Sequence, residues 1–175
     1  MASEHLTIAG SGNPTDLTLR AADWNDQDSL RNWKNNYRQF FFSKAVILPE
    51  QQMEWFRGYG ARERDYMFMV EVGGRAIGCM GVRLLENAWD VYNVILGEPA
   101  AGGKGHMSRA LRLMLAFAYC RRSCAVQLKV LRSNPAAEWY ERNGFRVVAE
   151  GDDHLLMRHE RDAVAEPAIA VAAQP

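Results

Sequence analysis

VILGEPAAGGKGHMSRALRLMLAFA, residues 94–118, reads as a strand, a glycine-rich loop and a helix in direct succession. Met107, Ala110, Leu111, Met114, Leu115 and Ala118 fall at i, i+3, i+4, i+7, i+8 and i+11, an apolar stripe along one helix face. Arg121 and Arg122 follow it, where cations suit the negative pole of the helix. At the other end lies Gly102-Gly103-Lys104-Gly105. A helix start leaves backbone N–H groups unpaired and carries about half a positive charge, so it attracts phosphate. Glycines let the main chain approach an anion without a Cβ in between, and Lys104 adds a cation. The loop is neither the GxxxxGKS/T nor the GxGxxG phosphate motif, because Gly105 follows Lys104 and a third spaced glycine is missing.

Working outward, helix and strand signals alternate. Leu17 to Ala21 reads as a short strand. Asn25 or Asp26 can cap a helix carrying Leu30, Trp33 and Tyr37, and Pro49 suits the first position of a second helix. Strands are expected over Tyr66 to Val72, Ala76 to Leu85 and Ala88 to Leu96, the first two joined by Gly73-Gly74. Beyond the central helix, Val126, Leu128 and Val130 alternate with Gln127 and Lys129. Asn134-Pro135 opens a short helix, Gly144 ends it, and strands Phe145 to Ala149 and His154 to Arg158 close the domain. The order is β-α-α-β-β-β-α-β-α-β-β. The crossover through 104–120 requires a parallel strand pair, whereas the tight turns require antiparallel ones. The expectation is an α/β fold with a mixed sheet and helices on both faces.

One domain over residues 16–160 is expected, with a flexible lead at 1–15 and a disordered tail at 161–175, whose AVAEPAIAVAAQP has no polar face. Lys+Arg and Asp+Glu both number 21, with no basic stripe, which argues against a nucleic-acid partner. Three cysteines, none in a CxxC pair, argue against a disulfide framework or a zinc site and suit a cytoplasmic protein. No apolar run reaches the roughly 18 residues of a membrane span.

The loop and helix at 102–111 resemble the coenzyme-binding segment of the GNAT (general N-acetyltransferase) superfamily, and Gly105 falls on its first motif glycine. Gly102 stands where that family commonly has Arg or Gln, and Met107 where it has Gly or Ala. VLRSNPAAEWYERNGF, residues 130–145, is similar to the family's Asn…Tyr…Gly-Phe signature, with the Asn-to-Tyr spacing shortened by one. The resemblance covers about residues 17–159. The N-terminal half, with Arg31 to Asn35, Phe40-Phe41-Phe42 and Glu54-Trp55-Phe56, is similar to acetyltransferases of nucleotide-linked amino sugars and of ribosomal proteins.

The resemblance implies an acetyl-CoA-dependent N-acetyltransferase acting on a small-molecule amine, with a nucleotide-linked amino sugar as the leading acceptor and homodimerisation as a further expectation. The runners-up are a protein N-terminus, an aminoglycoside-type amine, or a non-catalytic coenzyme-binding module. It implies that Gly102, Gly103, Lys104, Gly105, His106 and Met107 hold the pyrophosphate, His106 being either a phosphate contact or an exposed loop histidine, with Asn134 a helix cap first and a cofactor contact second. It also implies an oxyanion donor among the amides of Val94, Ile95 and Leu96, and Tyr140 as the acid for the leaving thiolate. For the general base, Glu71, Glu86, Asp90 and Glu98 lie on or beside the strands near the expected cleft, Asp90 and Glu71 being the chosen candidates, with a solvated strand-edge charge the alternative for each. Phe40-Phe41-Phe42 with Trp33 and Trp55 wall an acceptor pocket or fill core, and Lys34 and Arg38 meet a diphosphate or solvent.

Overall fold

The computed structural model describes residues 6–10, 16–161 and 167–173. Its elements are β1 (Leu6–Gly10), β2 (Leu17–Ala21), α1 (Gln27–Asn36), α2 (Pro49–Tyr59), β3 (Asp65–Val72), β4 (Arg75–Leu85) and β5 (Ala88–Leu96). They continue with α3 (His106–Arg121), β6 (Ala125–Leu131), α4 (Ala136–Arg142), β7 (Phe145–Glu150), β8 (His154–His159) and β9 (Ile169–Ala173). The strands form one sheet in the order β7-β8-β6-β5-β4-β3-β2-β1-β9. Among the described residues, β5 and β6 alone pair in parallel, as the helical crossover through α3 demands, and the other pairings are antiparallel.

Alternation along β3 shows why helices cover both faces. Phe68 and Val70 pack with Leu111, Met114 and Phe117 of α3, while Met67 and Met69 pack with Leu30, Trp33 and Tyr59 of the α1–α2 layer. The apolar stripe of α3 is covered from its second turn on, with Ala110, Leu111, Met114 and Ala118 at zero exposure, while Met107 at its start is half-buried. Ordinary area bookkeeping gives Leu111 and Met114 about 1.5–3 kcal/mol each for leaving water, so this helix anchors the larger core. Among the described residues, no helix is long and apolar enough to cross a membrane.

Two expectations are corrected. The lead and tail are not wholly irregular: residues 6–10 pair with β2, and residues 169–173 pair with β1 along the sheet edge. Leu6 and Ile8 are buried there, so β1 completes the core under α3 and offers β9 a partner. Residues 1–5, 11–15, 162–166 and 174–175 of those segments lie outside the described residues. Asp26 holds the N-cap position of α1 as expected but makes no side-chain cap bond; the side-chain cap is made three residues earlier, where the Asp23 carboxylate accepts from the Asn25 N–H at 2.7 Å at the start of a 3-10 turn over 24–26. The Asp26 carboxylate is drawn away because Arg20 binds both its oxygens, at 2.9 and 3.0 Å, and it also accepts from the Asp23 N–H. Pro49 opens α2 as expected.

Candidate active site

The site begins where the sheet opens. β5 and β6 pair only through Ala88–Asp90 and Ala125–Gln127 and then diverge. A bulge between Cys79 and Gly81 in the β4–β5 register accompanies this, with Asn93 in the left-handed region at φ 49°. The Gly97 N–H donates to Ile77 O across β4 at 2.9 Å. Successive amides of an extended strand point to opposite edges, so those of Leu96 and Val94 are directed at the gap. Their side chains line a cavity of 450 Å³, whereas Ile95 is buried in the α1–α2 layer. Of the three expected donors, Val94 and Leu96 face the site and Ile95 does not.

The floor of this first cavity is the glycine loop and the first turn of α3. Gly103 and Gly105 adopt φ 72° and 73°, a region costly for side chains with a Cβ. Gly105 is the cap residue of α3; no side chain caps the helix, and its first turn holds no acidic residue. The first backbone bond is Arg109 N–H to Gly105 O at 3.1 Å, which leaves the amides of His106, Met107 and Ser108 without intrahelical partners. Gly102, Gly103, Gly105, His106 and Met107 all line the cavity, whereas Lys104 stands beside it and does not. Met107 also packs against the larger core, which accommodates a long side chain at this position. Arg109 donates to His106 Nδ1 at 2.7 Å, so the ring proton sits on Nε2. Partial burial, then the charges of Arg109 and Lys104, hold this imidazole below its ordinary range.

The opposite wall is α4. Asn134 Oδ1 accepts the Ala136 N–H at 2.9 Å, a helix cap as the sequence suggests, and its Nδ2 reaches Phe40 O at 3.4 Å. Trp139 Nε1 donates to Ser108 Oγ at 3.0 Å and ties α4 to the first turn of α3. Tyr140 is held between them, 8% exposed, with its ring edge-on to Trp139 and Phe145. Its hydroxyl has no hydrogen-bond partner among the described residues. Burial alone pushes the phenol pKa up, so the group keeps its proton throughout the neutral range.

Val94, Ala136 and Tyr140 also line a second cavity of 410 Å³, so the two spaces meet at these residues. Its charge is one-sided: Lys34, Arg62, Arg83 and Lys129 face it against the carboxylate of Asp90. Arg83 bonds Asp90 at 2.9 Å; burial pushes that carboxyl upward and Arg83 opposes the shift. Asp65 lies behind, paired with Arg62 at 3.4 Å and accepting from the Tyr92 hydroxyl. Lys34 Nζ donates to Asn93 Oδ1 at 2.6 Å and sits 4.7 Å over the Phe41 ring. Burial lowers its pKa, and Arg83 lowers it further against the opposing influence of Cys79. Phe40, Phe41, Phe42, Trp55 and Tyr92 supply aromatic walls, and Asn134 faces this cavity and not the first.

Glu71 is placed elsewhere. It accepts from Arg20 Nε at 2.8 Å and lines neither cavity, so it serves the β2–β3 ion cluster. Arg38 bonds Asn35 O on the exposed side of its turn and faces neither cavity. Sequence reasoning missed Arg62, Arg83, Lys129 and Trp139. Arg83 was open to detection, because it sits directly across from Asp90 in the β4–β5 register. Lys129 occupies the polar parity of β6, which faces the cleft only because the strands part.

Residues 16–146 match the Acetyltransferase (GNAT) domain family. No curated protein matches the chain in sequence. In fold the chain is similar to a domain from Methanocaldococcus jannaschii DSM 2661, at 18% identity and TM-score 0.72, over 82% of this chain and 97% of that one. It is similar to apo FdhC, described as a nucleotide-linked sugar GNAT, at 18% identity and TM-score 0.71, over 93% and 92% of the two chains. It is also similar to Vibrio cholerae spermidine N-acetyltransferase in complex with CoA and spermine, at 20% identity and TM-score 0.69, over 82% and 93%.

Proposed function

The chain belongs to the GNAT acetyltransferase family, and from that membership we propose that it moves an acetyl group from acetyl-CoA to the primary amine of a small molecule bearing negative charge, a nucleotide-linked amino sugar being the class that fits best. The first cavity takes the coenzyme. Its left-handed glycines, uncapped helix start and lack of acidic residues in the first turn suit a pyrophosphate. The parted strands suit a pantetheine arm, with the amides of Val94 and Leu96 as donors along its path.

The observation that carries the acceptor class is the charge of the second cavity, four cations against one carboxylate. Such a wall attracts phosphate or carboxylate groups and repels polyamines and aminoglycosides. The same field assists the chemistry. An amine with pKa near 10.4 is neutral about once in 2,500 at pH 7, a deficit of roughly 4.6 kcal/mol. Surrounding cations disfavour a further positive charge and reduce that deficit, as Arg83 does for Lys34. Asp90, the carboxylate lining this cavity, receives the proton directly or through water. Tyr140, at the junction of the two spaces, donates to the departing sulfur.

A CoA-release assay over amino-sugar nucleotides, peptides with free N-termini and polyamines tests the assignment. Turnover is expected with the anionic amines and not with spermidine, and added salt is expected to raise KM for the acceptor. Turnover confined to polyamines or peptides would overturn it.

A further inference from the structure

A third space opens off the second cavity, away from the coenzyme side. It measures 300 Å³ and shares Lys34, Ser43, Trp55 and Asn93 with its neighbour. The three cavities therefore run in series, with Tyr140 at the first junction and Lys34 at the second.

The wall of this third space is fixed. Asn35 clamps the main chain of Ile47 from both sides, donating to its carbonyl at 2.9 Å and accepting its N–H at 2.8 Å. Gln51 Oε1 is occupied by the Leu48 N–H at 2.8 Å. The next residue differs. Gln52 is 7% exposed, lines the space, and its side-chain amide has no hydrogen-bond partner among the described residues. Its polar atoms are not among the fully enclosed ones, so the carboxamide stays accessible and its donors and acceptor are free for a ligand edge in this space.

We propose that this third cavity is a binding compartment for a neutral, planar, hydrogen-bonding ring of the nucleobase class, recognised by Gln52. The carboxamide presents one acceptor and two donors in a single plane, complementary to a lactam or amidine edge. Leu30, Val46 and Ile47 give apolar contact, and the Trp55 ring forms the wall shared with the second cavity. Among the described residues lining the space, Lys34 is the one charged side chain, and it stands at the junction. A ligand's anionic linker thus stays among the cations of the second cavity while its uncharged end passes Lys34 into the third. This assignment rests on the reading of the second cavity as the acceptor site, and it makes Gln52 a specificity-determining residue.

The test is calorimetric binding of ribonucleoside diphosphates, thymidine diphosphate and inorganic pyrophosphate to the full chain with its coenzyme site saturated by CoA. At least one nucleoside diphosphate is expected to bind about tenfold or more tightly than pyrophosphate, the worth of a buried hydrogen-bonded edge. Gln52→Leu, which keeps the packing volume, is expected to erase most of that advantage while leaving pyrophosphate binding unchanged. An advantage that survives in Gln52→Leu, or none in the wild-type protein while pyrophosphate still binds, overturns the compartment and leaves the acceptor site standing. Failure of every one of these anions to bind overturns both. The wild-type comparison decides the matter even if the variant does not fold.

Discussion

Replacing Tyr140 by phenylalanine is expected to lower kcat about a hundredfold, with the Kd for CoA changed by less than about twofold; this is the scale of a lost proton donor in a transition state. The ring stays, so its edge contacts with Trp139 and Phe145, at 5.1 and 5.6 Å, are kept. The hydroxyl has no partner among the described residues, so its removal orphans no buried group. What is lost is the donor facing the junction of the two cavities. Because burial holds the phenol protonated through neutral pH, the loss should not vary with pH over that range. Steady-state CoA release and calorimetric CoA binding measure the two quantities separately. Unchanged turnover would remove Tyr140 from the chemistry.

The second large effect is on the coenzyme. Gly105→Val is expected to weaken CoA binding about a hundredfold, the loss of one to two charge-assisted hydrogen bonds from main-chain amides. A Cβ at Gly105 would meet nothing within 4 Å, so the penalty is conformational: at φ 73° a β-branched residue is strained and the chain shifts to relieve it. That shift turns the amides of the first helical turn away from the anion. Gly73→Val is the matched control, since Gly73 has φ 57° and open space around it in the β3–β4 turn. It should lose comparable stability and bind CoA normally. Equal CoA affinity in the two variants would contradict the assigned role of the loop.

The central fold was legible because its signals are local. The stripe of α3 and the glycines before it lie within one short window, and the parallel pairing of β5 and β6 follows from the crossover between them. The sheet edges were not. In β1 only Leu6 and Ile8 mark the buried face, and Ile169–Ala173 has no alternation at all; it is a strand because β1 is there to pair with. Asp26 stands at the N-cap of α1 as read, but its side chain makes no cap bond there because Arg20, remote in the local reading, takes the carboxylate.

The site was legible in the same uneven way. The glycine loop and Tyr140 belong to contiguous motifs and fall together on the first cavity. Choosing among Val94, Ile95 and Leu96 needs the strand's parity beyond the bulge at Asn93, and that bulge has no sequence signature. Glu71 and Asp90 look alike as strand carboxylates, and only their partners separate them: Arg20, 51 residues away, for one and the cavity-lining Arg83 for the other. The cationic wall joins α1, the segment before β3, β4 and β6, so no window of sequence contains it.

A crystal structure of the protein grown with saturating CoA tests the central claim most directly. The pyrophosphate is expected on the main-chain amides between Gly103 and Ser108, the pantetheine arm between β5 and β6 beside Val94 and Leu96, and the sulfur next to Tyr140. Coenzyme bound elsewhere, or a first cavity left without it at saturation, would contradict the account.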